Sequence, residues 1–472
     1  MWRLVVGACV VVGFAAALAW QLGSDGSRAV AQEQDKPAAE GAKKPPAGQK
    51  RKAGANARKA KPGALGKTKI PANAKADTPP ESAAAAGVPI LSNGDSYDDF
   101  ASIVQTSDGS LFAAYAAYYD GHDQIRLHKR LSGGKWSTRL HVPLVRAEAD
   151  IWMPQLAVDK KDRVWVIWCE QTDQTKTASG NWDVYARAFE NDQWGPIVRL
   201  STDPKPDINP HVATDVDHNI YVVWQGHPEN NGDIMLSRFD GQEWSKPQAV
   251  TSGPESDWYP QVAVDVDGTA WIAFDSYRNG DYDVFLTSVN GDRVGSIVPI
   301  ATSKYYEAHP TVACAPDGQV WVAWEQGGFN WGKDNGYWLR VASGAVGDGP
   351  PGSATEAHPT GAGAGSPLGS TRTVQAAVYH DGKLLAAPDL AKALPTDSLG
   401  VSAMPALAIG SDSRVWLRYR RQNLGTSAPK KPQKYWTECV SYLTADGWSK
   451  PTTLAGSTGR ISVFSRIKPL AD

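Results

Sequence analysis

Apolar and aromatic positions between residues 101 and 419 fall into one fifteen-residue pattern that recurs along the chain. PQLAVDKKDRVWVIW (154–168) returns as PHVATDVDHNIYVVW (210–224), PQVAVDVDGTAWIAF (260–274) and PTVACAPDGQVWVAW (310–324). PALAIGSDSRVWLRY (405–419) is a fifth copy, and ASIVQTSDGSLFAAY (101–115) a sixth without the leading proline. In each copy a short apolar run, an Asp/Gly-rich turn and an aromatic-rich run predict a β-hairpin. The second run carries two aromatics three residues apart: Trp165 and Trp168, Tyr221 and Trp224, Trp271 and Phe274, Trp321 and Trp324, Trp416 and Tyr419, Phe112 and Tyr115. Odd separations along a strand point to opposite faces. Both faces therefore need cover, which a sheet stacked between two like sheets provides.

A third strand led by Asp follows most copies, at 123–129, 183–189, 233–239 and 283–289, and a fourth begins near Trp136, Trp194, Trp244 and Trp448. Four strands per roughly fifty residues, repeated radially, predict an all-β fold, a β-propeller. The copies start 53, 56, 50, 50 and 95 residues apart. Six four-stranded blades are the preferred count, with TVQAAVYHDGKLL (373–385) as strands three and four of the fifth blade and 325–371, rich in Gly and Pro, as an insertion. The alternative is seven blades, because EAHPT at 307–311 returns at 356–360. GVPILS (87–92) resembles the fourth-strand segment at 194–201, so it is expected to complete the last blade.

Outside the repeats the pattern changes twice. Residues 1–31 combine a basic start, an apolar run from Leu4 to Trp20 and the small-residue site Ala29-Val30-Ala31. This is a signal peptide, or a signal anchor if uncleaved. Residues 32–86 are Ala, Lys, Pro and Gly with almost no large apolar side chain, a disordered basic tether. The formal net charge of −2 averages opposites: twelve Lys/Arg and four acids lie within 32–80, leaving 81–472 at about −11. The tether suits an anionic envelope or membrane surface. No nucleic acid is expected on the acidic propeller, 87–472. The expected location is exported: periplasmic, secreted or envelope-tethered, as a monomer. Cys169, Cys314 and Cys439 are too far apart for a disulfide framework or a zinc motif.

The copy PQVAVDVDGTAWIAFDSYRNGDYDVFL (260–286) resembles the propeller repeats of TolB-like exported proteins in its Pro start, Asp-Gly turn, Ser-x-Arg-x-Gly loop and Asp-led third strand. The resemblance implies an exported propeller scaffold. Ser107-Asp108-Gly109 and Asp265-Val266-Asp267-Gly268 are loosely similar to the Asp-containing hairpins of sialidase-type propellers, though placed in the first hairpin of the blade. That similarity implies a glycoside hydrolase as the enzymatic alternative.

In an antiparallel meander the blade-to-blade loops and the loops from second to third strand share one face. The chemistry gathers there. Near the first-strand start stand Asp98, Asp150, Asp207, Asp257 and Glu307, and after the second strand come Asp275 and Glu325. Trp152, Trp258, Tyr259, His211, His309, Arg278, Trp331 and Lys333 join them. Six tryptophans stand outside the blade framework and the signal: Trp152, Trp182, Trp258, Trp331, Trp338 and Trp436. Repeated acids also arise simply as carboxylates accepting N–H bonds at each strand entry, copied with the blade. As a ligand face, carboxylates beside aromatics suit sugars or cationic peptides. For an enzyme, Asp257, Glu307 and Arg278 are the catalytic candidates. The Asp215/Asp217 and Asp265/Asp267 pairs carry oxygen ligands suited to Ca²⁺, but a hairpin turn accounts for them, so neither metal nor cofactor is expected. No Gly-Xaa-Ser-Xaa-Gly, His-Glu-x-x-His or P-loop occurs. The reading is a non-catalytic binding module for a carbohydrate or protein segment, with a glycoside hydrolase and an envelope scaffold as alternatives.

Overall fold

The structure, a computed structural model, describes residues 97–131, 134–137, 139–172, 181–228, 231–329, 372–394, 398–424 and 434–457. These form six antiparallel sheets, each a meander whose strands pair in chain order. Blade one is β1 (Tyr97–Gln105), β2 (Leu111–Tyr119), β3 (His122–Arg130) and β4 (Leu140–His141). Blade two is β5 (Ile151–Val158), β6 (Val164–Gln171), β7 (Trp182–Glu190) and β8 (Gln193–Arg199). Blade three is β9 (Ile208–Thr214), β10 (Ile220–Gly226), β11 (Asp233–Phe239) and β12 (Gln248–Ala249). Blade four is β13 (Asp257–Val264), β14 (Ala270–Ser276) and β15 (Asp283–Asn290), with β16 (Arg293–Val294) and β17 (Val298–Ala301) sharing the outer edge. Blade five is β18 (Tyr305–Cys314), β19 (Val320–Phe329), β20 (Thr373–His380) and β21 (Lys383–Ala386).

Blade six is β22 (Ser398–Ile409), β23 (Val415–Leu424) and β24 (Lys434–Thr444), with β25 (Gly447–Trp448) and β26 (Thr452–Ser457) outermost. From blade one to blade six each first strand packs beside the next, and all six line a central channel. The fold is the expected six-bladed all-β propeller.

Two expectations change. The fourth-strand position of blade six, beside β24, is taken by β25 and β26 from the C-terminal side; residues 87–92, expected there, lie outside the described residues. Strand β19 runs on to Phe329, through the first five residues assigned to the insertion.

The paired aromatics explain the stacking. Trp165 joins the apolar cluster shared with blade three, against Phe239 and Trp244, whereas Trp168 joins the cluster shared with blade one. Tyr221, Trp271 and Trp321 likewise face the following blade, and Trp224, Phe274, Trp324 and Tyr419 the preceding one. Each such side chain contributes on the order of 1.5–3 kcal/mol by leaving water. Where the ring meets itself, Trp416 instead sits in a cluster of blade-six residues, with Tyr442 and Leu454. In blade one the second aromatic, Tyr115, hydrogen-bonds and stacks on His128.

The hairpin carboxylates have a second use in the turns. Asp265 Oδ1 accepts the backbone N–H groups of Asp267 and Thr269, and its Oδ2 accepts the indole N–H of Trp271 at 2.8 Å. Asp215 repeats this with Asp217, Asn219 and Tyr221, and Asp159 with Lys161, Arg163 and Trp165. Both oxygens are thus used inside the hairpin, and the aspartate fixes the first aromatic of the blade. Among the described residues no group of three or more His, Cys, Asp or Glu is placed to hold a metal ion.

One feature of every inner strand escaped the sequence pattern. Phe100, Met153, Asn209, Tyr259, His309 and Met404, equivalent in the six copies, all have φ between 51 and 56°. Each opens a one-residue bulge: the strand register slips there in every blade, opposite the second aromatic of β2, β6, β10, β14, β19 and β23. Left-handed backbone at bulky residues is costly and persists only where the surroundings enforce it. At His309 and Met404 a carboxylate of the preceding blade holds the backbone N–H in place.

Candidate functional site

The meander places strand-one starts, strand-two ends and strand-three starts on the long-loop face. Five large aromatics among the described residues are exposed: Tyr118, Tyr119, Trp152, Tyr277 and Tyr305. All five stand at strand-two ends or strand-one starts, so all lie on this face. The exposed apolar side chains at the opposite, hairpin ends, Leu131, Val216, Val266 and Val294, are aliphatic.

The acids expected to ring the channel mouth are mostly not open to it. Asp98, Asp207, Asp257 and Glu307 are between 1 and 4% exposed; Asp150 alone of that set is exposed. Asp207 Oδ1 accepts the Trp224 indole N–H at 2.8 Å, and burial pushes its carboxyl up to about 7. Asp257 is held by Arg278 Nη2 at 2.7 Å, and Arg278 itself lies over Phe285. Glu307 accepts both the backbone N–H and hydroxyl of Ser303 and the Gln326 amide.

The acids after the second strand serve the next blade. Asp275 Oδ2 accepts the His309 backbone N–H at 2.9 Å, and Glu325 Oε1 accepts that of Met404 at 2.6 Å, so two of the six bulges hang on a preceding carboxylate. Among the third-strand aspartates, Asp123 accepts the Ile151 backbone N–H, while Asp183 pairs with Arg199.

The remaining candidates separate into a packed set and an accessible set. His211 is an interblade tie: its Nδ1 accepts the Val262 backbone N–H at 3.1 Å. Ser102, Gln155 and Thr311, at the same repeat position, accept from Leu156, Val212 and Leu407; blade six has Ala406 there. Trp152 leans on Phe100 with ring centroids 4.6 Å apart. Trp182 packs on the blade two–three cluster, and Trp436 lies under Arg420. Trp331, Trp338 and Lys333 lie outside the described residues.

What the face does bring together is an aromatic run across blades four and five. Exposed Tyr277 meets Tyr282 at 5.2 Å; Tyr282 meets Trp258 at 5.5 Å and Tyr306 at 5.3 Å. Tyr306 meets His309 at 6.4 Å, and His309 meets Tyr259 at 4.9 Å, at the mouth of the channel. Carboxyls with altered acidity flank this run. Burial raises Glu307 and Asp281, and raises Asp283 to about 7. The channel itself encloses about 330 Å³ and is lined at this end by Tyr259, His309, Met404 and Arg418. Tyr277, Tyr282, Tyr305, Tyr306 and Arg418 were not singled out by sequence. A Tyr-rich stretch flanking blade five, YYE at 305–307, was the available signal for two of them.

Fold and face together define a β-propeller with an aromatic-lined loop face. No protein-family model and no curated protein matches the chain. Among solved structures it is similar to a protein of unknown function from Dyadobacter fermentans, at 12% identity over 74% of this chain and 95% of that one, TM-score 0.46. It is similar to an α-L-arabinanase from Penicillium chrysogenum complexed with arabinobiose, at 11% identity over 69% and 88%, TM-score 0.44. A polysaccharide lyase, an ulvan lyase, gives 11% identity over 78% and 84%, TM-score 0.47. Likenesses of this degree assign neither ligand nor reaction to this chain, and the propeller stands on its own sheet topology.

Proposed function

We propose that this protein is an exported, tethered propeller that binds carbohydrate on its long-loop face without turning it over. The observation that carries the reading is the one-sided display of exposed aromatics. Sugar C–H faces stack on aromatic rings, whose hydroxyl or indole edge stays wet. Residues 1–31 supply export and the basic segment 32–86 the tether in this reading, and the TolB-like repeat supports only the scaffold. Asp257 and Glu307, the candidate acid pair, are buried and committed to Arg278 and to Ser303 and Gln326. That supports binding over hydrolysis.

The test is binding to immobilised plant and microbial polysaccharides with product analysis in parallel. Trp258→Ala and Tyr277→Ala should each weaken retention by roughly tenfold, the order of an aromatic contact worth about 1.4 kcal/mol. Unchanged retention of both variants would sink the proposed face. A second reading, glycoside hydrolysis, is favoured by Glu307 and Asp283, whose carboxyls, raised in pKa by burial, suit a general acid. Turnover of a chromogenic glycoside, abolished by Glu307→Gln, would replace binding with that reading.

A further inference from the structure

The six copies serve as controls for one another, and blade six breaks their rule three times. Before the second aromatic of the hairpin the other blades carry Ala114, Ile167, Val223, Ala273 and Ala323; blade six carries Arg418. After that aromatic they carry Ala116, Cys169, Gln225, Asp275 and Glu325; blade six carries Arg420. At the strand entry, where four blades bury an acid, blade six has Ser402. Repeat architecture accounts for what the copies share, not for this inversion of charge.

The inversion is buried and therefore expensive. Arg418 and Arg420 are 3 and 6% exposed and share a single carboxylate, Glu438. An apolar residue at position 418, as in the other five blades, would avoid the desolvation cost of a buried charge. Arg418 nevertheless lines the channel, with its Nη1 donating to the Met404 carbonyl.

Across the mouth the arrangement recurs: His309 and Arg372 share Glu325, at 3.4 and 3.0 Å. Burial opposes charge on His309, but its hydrogen bond to Glu325 and the charges of Glu325 and Asp275 outweigh this and raise its pKa. Arg372, Arg418, Arg420 and Arg421 thus gather beside His309, among the carboxylates Glu325, Glu438, Asp275 and Asp99. Of these groups Arg418 and His309 line the channel itself, in a propeller that is acidic as a whole.

We infer that the channel mouth between blades four, five and six binds an acidic group of the ligand, a sugar carboxylate or sulfate, through Arg418, His309 and Tyr259. This deepens the carbohydrate reading and rests on it. Exposed Tyr277 and half-buried Trp258 offer the polysaccharide its contacts beside this mouth, braced by buried Tyr282 and Tyr306, and the cations at the mouth select acidic over neutral chains.

The experiment titrates the full chain with polygalacturonate, dextran sulfate and neutral dextran, by calorimetry or affinity electrophoresis at about pH 6, on the acid side of the ordinary histidine range from which Glu325 and Asp275 raise His309. Expected is preference for at least one acidic polymer over dextran by roughly tenfold or more, falling with added salt. The two acidic polymers separate carboxylate from sulfate recognition. His309→Gln, Tyr259→Phe and Arg418→Met should each weaken acidic binding while melting curves report the fold. If Arg418→Met does not fold, the other two variants decide. Equal affinity for neutral and acidic polymers, still lost with Trp258→Ala, would overturn the acidic ligand and leave carbohydrate binding standing. Wild-type affinity in folded His309→Gln and Tyr259→Phe would overturn it as well. Failure to bind any polysaccharide would remove both readings.

Discussion

The backbone N–H of Met404 donates to Glu325 Oε1 at 2.6 Å, so a buried carboxylate within the second strand of blade five holds the bulge of blade six. The same carboxylate receives Arg372 and faces His309. Glu325→Ala would leave three donors facing an empty site. We expect it to cost about 3–5 kcal/mol, as for removal of one partner from a buried ion pair. Glu325→Gln, which keeps an oxygen for Met404, should cost less. Urea unfolding of the two variants gives the comparison.

The Glu325–His309 pair also sets a pH window. Burial pushes Glu325 up, but the hydrogen bond and charge of His309 and the charge of Arg372 outweigh it and hold the carboxyl at about 2. A lowered acid stabilises above its unfolded value, 4.5, and loses that contribution as pH falls toward 2. A raised histidine stabilises below its unfolded value, 6.5, and loses that contribution as pH rises through its folded value. The pair is therefore fully stabilising between 4.5 and 6.5. The stability difference between wild type and His309→Gln should be largest in that window and shrink on the alkaline side. A difference that does not vary with pH would count against the coupling.

Asp207 gives the opposite sign. Its carboxyl is raised by burial from 3.8 to about 7, so ionisation is penalised in the folded state. Stability then falls as pH rises from 3.8 to about 7 and stays lower above it. Asp207→Asn keeps an oxygen for the Trp224 indole and carries no charge. At about pH 8 it should be more stable than wild type by up to about 4 kcal/mol, and near pH 4 the gain should vanish. Chemical denaturation at both pH values checks this.

The interblade ties make a smaller, local prediction. Thr311 Oγ1 accepts the Leu407 backbone N–H at 3.2 Å across the blade five–six junction. Thr311→Ala should cost about 1 kcal/mol, the net worth of one such bond. Hydrogen exchange at Leu407 should accelerate in the variant. An unchanged exchange rate would mean that the tie adds nothing to strand pairing.

Blade number and strand order were legible because the propeller writes its period into the chain. Trp165 and Trp168 lie three apart and pack on opposite neighbours, as an extended strand requires. The bulges were not legible. Phe100, Met153, Tyr259 and His309 carry no glycine-like signal for positive φ, and the proline after most of them reads equally as a strand start. The role of the acid ring stayed open in the sequence for a related reason. An Asp three residues before a strand looks the same in sequence whether solvent or, as for Asp207, an indole N–H receives it. Arg418 stands in the aligned copies as the one charged residue in its column, a departure from the shared pattern rather than part of it. The aromatic run from Tyr277 to Tyr259 joins residues of β13, β18 and the loop between β14 and β15, which only the packing of blade four on blade five brings side by side.

The repeated bulge separates what the backbone does from what the side chain does. At 100, 153, 209, 259, 309 and 404 the main chain adopts nearly one conformation, yet the residues are Phe, Met, Asn, Tyr, His and Met. The scaffold therefore holds six equivalent backbone sites around one axis, and identity decides their use: Phe100 and Met153 pack into the core, whereas Tyr259, His309 and Met404 line the channel. Altering those three side chains would change the chemistry at the channel mouth while the hairpins, ties and stacked aromatics continue to specify the ring.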